Sequence, residues 1–133
     1  MTLGASVRHQ RHYTLEQANA VRGWVADRVN RIRSAHARLV ALGDQATEAL
    51  ARLDPRSGGS YPGRAVALSL VELSRAVAEL EAVDIVLRDV DRGLIDFPAI
   101  RDGEEIYLCW LLDEDEIGYW HEPDAGFPGR RPL

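Results

Sequence analysis

Apolar residues recur every three to four positions through the first two thirds of this chain, and every second position after residue 84. That change of period constrains the fold most, because a helix repeats its face every 3.6 residues and a strand every two. The first stripe runs through Ala18, Val21, Val25, Val29, Ile32, Leu39 and Leu42, with His36 on the same line. It resumes at Ala46, Ala49, Leu50 and Leu53, and Gly43-Asp44 is the expected place for a kink. Thr14-Leu15-Glu16-Gln17 opens it as a capping box, in which the Thr14 hydroxyl accepts from the Gln17 amide and the Gln17 side chain reaches back. Residues 54–63, DPRSGGSYPG, are turn formers and read as a connector. A second stripe follows at Val66, Leu70, Leu73, Val77 and Leu80 and ends near Asp84, a residue type that tolerates a left-handed cap.

Strand patterns occupy the rest. Residues 85–90 and 94–97 read as strands separated by a turn at 91–93, and Pro98 ends the second strand or places it at an edge. Asp102-Gly103 is a hairpin signal. Residues 105–112 are apolar on both sides, which suits a central strand covered on both faces. An acidic turn at 113–116 precedes a fourth strand at 117–121, and the tail 122–133 is rich in glycine and proline. The expected fold class is therefore α+β: a long N-terminal antiparallel helical hairpin, a four-stranded antiparallel meander and an irregular C-terminal tail. One domain is expected, with a flexible arm at 1–12, the hairpin at 13–84, the sheet at 85–121 and an ordered tail at 122–133. At ~1.5 Å per residue the first helix is roughly twice as long as the second. The sheet should then cover its first half, with Val21, Trp24 and Val25 as contacts. The apolar surface left over is expected to be buried in a homodimer built on the helical hairpin.

Composition excludes several chemistries. All sixteen basic residues are arginine, so a Schiff-base lysine, a lysine general base and a phosphate-loop lysine are impossible. Cys109 stands alone, which rules out an intrachain disulfide and a cysteine-rich zinc knuckle. No GxGxxG, GxSxG or HExxH occurs. No apolar run is long enough to span a membrane, and the first residues lack a secretory h-region, so a cytoplasmic protein is expected. Between Asp84 and Asp124 lie thirteen acidic residues and three arginines, whereas the remainder is basic. A basic helical region neutralising an acidic sheet explains this, and nucleic acid is not the expected partner. The arginines from Arg22 to Arg38 have no interleaved aromatic run for base stacking.

The densest chemistry is Trp120-His121-Glu122-Pro123-Asp124. An imidazole with two carboxylates at a strand end makes His121, Glu122 and Asp124 candidate ligands for a divalent metal, or a proton-transfer group. The structural alternative is that His121 and Asp124 tie down the tail. Arg130 and Arg131 beside Gly126 and Gly129 could clamp an anion, or pair with the chain's own acidic sheet. Asp96 interrupts an apolar strand; it either faces solvent or shares a face with Tyr107 or Cys109 and helps form a pocket. Asp96, Trp120, His121, Arg130 and Arg131 are thus the candidate ligand-binding residues. Cys109 reads as a small buried hydrophobe, and His9 and His12 fall in the arm.

HYTLEQANAV near the start, with His121, Asp124, Gly126, Phe127, Arg130, Arg131 and Pro132 near the end, resembles the prokaryotic family known as domain of unknown function 2203. The resemblance covers nearly everything after residue 12. It implies relatives and no activity. Asp84 replaces a usual glycine, and residues 57–60 form a Gly/Ser insertion. Without a complete catalytic constellation, the expectation is a non-catalytic homodimeric binding or scaffold protein, with its ligand between the acidic sheet edge and the C-terminal tail. The alternative is a metal-dependent, hydrolase-like enzyme using His121 with nearby carboxylates.

Overall fold

A computed structural model describes residues 7–51 and 63–133, the side chains of 46–51 excepted. The capping box forms as expected: Thr14 accepts from the Gln17 amide and the Gln17 side chain accepts from the Thr14 amide, each at 3.0 Å. It starts α1 (Leu15–Ala20), which is followed by α2 (Arg22–Ala51). The break falls at Val21, not at Gly43-Asp44, through which α2 runs on. Val21 bonds back to Ala18, three residues away, and this tightened turn aims α1 at the sheet, where Asn19 accepts from the Ile117 amide at 2.9 Å. The connector expected at 54–63 lies outside the described residues except for Gly63, where α3 (Gly63–Ala82) begins. Ala46, Ala49, Leu50 and Leu53 lie outside the described side chains.

Asp84 ends the α3 region at φ 60°. The amides of Asp84 and Ile85 return to the carbonyls of Glu81 and Leu80, a Schellman closure, so the aspartate does the glycine's conformational work.

The sheet has five antiparallel strands in sequential order: β1 (Val86–Asp89), β2 (Leu94–Arg101), β3 (Glu104–Leu111), β4 (Tyr119–His121) and β5 (Arg131–Pro132). The expected count of four missed β5, a piece of the tail that pairs with β4. Asp102 and Gly103 both have positive φ, 52° and 79°, and form the two-residue turn between β2 and β3. Pro98 does not end its strand. β1 has already stopped opposite Asp96, and the Pro98 carbonyl accepts from Tyr13 along that vacated edge at 2.7 Å.

One face of the sheet presents Ile95, Phe97, Ile106, Leu108 and Trp110 to Ala18, Val25, Val29 and Ile32, forming the core. The sheet therefore covers the first part of α2, as helix lengths required. Trp24, expected in this contact, is 37% exposed with the Arg28 guanidinium stacked on its ring. Among the described residues, no helix is long and apolar enough to cross a membrane.

Candidate functional site

The register decides what the second face of the sheet carries. Asp96 stands opposite Cys109, Pro98 opposite Tyr107, and Tyr107 opposite His121. Paired residues share a face, so β2, β3 and β4 bring Asp96, Cys109 and His121 together. Their exposures are 1%, 0% and 2%. Of the two alternatives for Asp96, the shared face is the one formed.

His121 has both ring nitrogens engaged. Nδ1 donates to the Glu122 carbonyl at 2.7 Å, and Nε2 lies 2.9 and 3.0 Å from the two Asp96 oxygens. Burial works against a charge on the ring. The hydrogen bonds to Asp96, Cys109 and the Glu122 carbonyl outweigh it and push the pKa up to about 10. The pair is thus an imidazolium on a carboxylate. Arg88 adds a second cation, its Nε donating to Asp96 Oδ2 at 2.8 Å while its guanidinium lies over Tyr107.

Residues 7–12, the described part of the stretch expected to be an arm, lie against this face. The amides of Arg8 and His9 donate to the Glu105 carboxylate, as does His12 Nε2 at 2.7 Å. His9 Nε2 is 2.7 Å from the Tyr107 hydroxyl, and its ring meets Tyr107 edge-on. Arg11 donates its amide to Asp84. That bond, with His9 alongside, holds the Asp84 carboxyl below its usual range against a small desolvation. Burial would raise Glu105, but His12 and the two amides prevail and lower it. The polar i, i+3 pair of histidines finds its partners only across the chain, on strands that composition could not align with it.

The remaining candidates disperse. The Glu122 carboxylate lies 3.9 Å from Arg131 and Asp124 pairs with Arg8 at 2.8 Å, so neither turns to His121. Trp120, one residue from His121, faces the helices and is flanked by Arg101 and Arg131. Arg130 stacks on Tyr119 and donates to Glu114, which also accepts from the Leu111 amide. It therefore ties the acidic turn to the tail. The sequence reading missed Arg88 and Glu105; it named Tyr107 and Cys109 only as possible face-mates of Asp96, and His9 only as part of the arm. Alternation along β3 marked Tyr107 and Cys109 as one side, yet it could not decide whether Asp96 joined them or place His121 beside them.

A cleft of about 640 Å³ opens between α2, α3 and β1. Ile32, Leu73, Val77, Leu87 and Val90 give it apolar walls, and His9, His36, Glu81 and Asp84 add polar groups. His9 links it to the buried cluster through Tyr107. A hollow of about 770 Å³ shares His36 and Val90, but its walls are mainly polar or small, including Asn30, Arg33, Ser34 and Asp44.

No curated protein and no solved structure matches the chain significantly. A family described as "Uncharacterized conserved protein (DUF2203)" matches residues 11–133. The match takes in the capping box, all five strands and the tail, and the chain belongs to that family.

Proposed function

We propose that this is a non-catalytic, homodimeric binding protein whose ligand is a small, largely apolar molecule with one polar end. The carrying observation is the cleft between α2, α3 and β1: a concave apolar volume of about 640 Å³ with a few polar side chains. That is the usual anatomy of a small-molecule site. Ile32 and Val77 would contact the apolar body, and His9, His36, Glu81 and Asp84 would select the polar end. The acidic edge near the tail is the weaker location, because Arg130 and Glu114 satisfy one another there. Against a metal-dependent hydrolase stands the burial of His121, which leaves a substrate no approach.

The dimer rests on surface left uncovered on the helical pair. Val40, Leu68 and Val71 are 54%, 60% and 55% exposed, a cost that a symmetric contact would relieve.

Titration with anilinonaphthalene sulfonate tests the cleft. Saturable fluorescence enhancement is expected at one probe per chain. Val77→Trp, which fills the cleft, should weaken it at least roughly ten-fold. Equal binding by wild type and an equally folded Val77→Trp would defeat the reading.

A further inference from the structure

Beneath the docked arm, three strands converge on one point. Asp96 from β2, Cys109 from β3 and His121 from β4 offer a carboxylate oxygen, a thiol sulfur and an imidazole nitrogen within 4.8 Å of one another. All three side chains are buried. We propose that they form a buried site for a divalent transition metal of the zinc class. This goes beyond ligand binding in the cleft and does not depend on it.

The donor set points to the metal. A thiolate with an imidazole and a carboxylate matches zinc's ligand types, whereas magnesium and calcium prefer oxygen alone. The surroundings match as well, because metal ligands are oriented by outer partners and the side chains of His121 and Asp96 each have one. Nδ1 of His121 is held by the Glu122 carbonyl, which leaves Nε2 aimed at the cluster. Arg88 donates to Asp96 Oδ2, while Oδ1 lies 2.9 Å from His121 Nε2. Arg130 reaches the Cys109 main chain, with Nη2 3.4 Å from its carbonyl oxygen, and helps to fix β3 at that ligand.

Metal ligands bind deprotonated, so an M²⁺ ion here would release to solvent the proton that lies between His121 Nε2 and Asp96, together with the Cys109 Sγ proton, and would join three adjacent strands. Three protein donors leave one tetrahedral position for a water. Burial of all three ligands, with Arg88 on Asp96 and His9 on the neighbouring Tyr107, keeps substrate from that position.

Cobalt(II) titration of chelator-treated, untagged full-length protein tests this. Cys109 is the chain's single cysteine, so a thiolate-to-cobalt charge-transfer band can arise from no other residue. The band is expected to saturate at one equivalent, with one equivalent of zinc displacing the cobalt. Cys109→Ser should abolish it, and Arg88→Gln should lower metal affinity about 10–100-fold. Glu122→Gln combined with Asp124→Asn should leave the band and the affinity unchanged. Absence of the band in wild type overturns the proposal even if every variant misfolds. Its loss in a folded Glu122→Gln/Asp124→Asn protein would move the metal to the surface carboxylates and overturn it equally. Probe binding in the cleft is read separately, so either idea can fail alone.

Discussion

His121 and Asp96 are partners in a low-dielectric place, where the loss of one member costs more than the pair's net worth. Asp96→Ala strands two cationic groups, His121 and Arg88, and should destabilise the protein by about 3 kcal/mol in urea unfolding. Asp124→Ala removes a pair whose carboxylate side chain is 89% exposed and should leave the urea midpoint almost unchanged. Equal losses would mean that burial does not set the weight of these contacts. Gly126 has φ 62° and ψ −164°, a region open to glycine alone, just before the 3₁₀ turn Phe127–Gly129. Gly126→Ala should therefore cost about 1–3 kcal/mol, measurable by the same denaturation. Each of these residues stood out by type in the sequence. What each does was hidden, since an aspartate in a strand reads alike whether it faces water or an imidazolium.

At the scale of elements, the arm is held by two carboxylates. Asp84 and Glu105 both sit below their ordinary pKa values of 3.8 and 4.5. A carboxylate that is a stronger acid folded than unfolded lends stability that is complete above its ordinary pKa. That stability drains away as pH falls through the depressed value. The arm should therefore detach in acid, below roughly pH 4. Hydrogen exchange at the amides of Arg8, His9 and Arg11, corrected for its intrinsic pH dependence, should lose protection there while the β2–β3 amides keep theirs. Glu105→Gln should give much of that loss at neutral pH. Retained arm protection in the variant would show that the backbone contact at Tyr13 suffices. Element boundaries were legible wherever a local signal exists: the capping box at Thr14, the turn at Asp102-Gly103 and the left-handed cap at Asp84. The break at Val21 and strand β5 carry no such signal, because docking on Ile117 and on β4 creates them.

At the scale of the whole molecule, the helical pair leaves apolar side chains in water while one sheet face is sealed by core and the other by the arm and tail. Two copies meeting on α2 and α3 would relieve that exposure. Sedimentation should show a dimer, and Leu68→Glu with Val71→Glu should yield a folded monomer. A wild-type monomer at micromolar concentration would end the dimer reading. The residues themselves determined what depends on near neighbours: two long helices and then a meander, the sheet on the first part of α2, and no lysine chemistry. Those follow from periodicity, chain reach and composition, which are properties of short stretches. Only the tertiary structure decided that Asp96, Cys109 and His121 meet. Strand register and the path of an arm some ninety residues away are set by the best joint packing of the chain, and a one-residue slip would have turned all three to other faces.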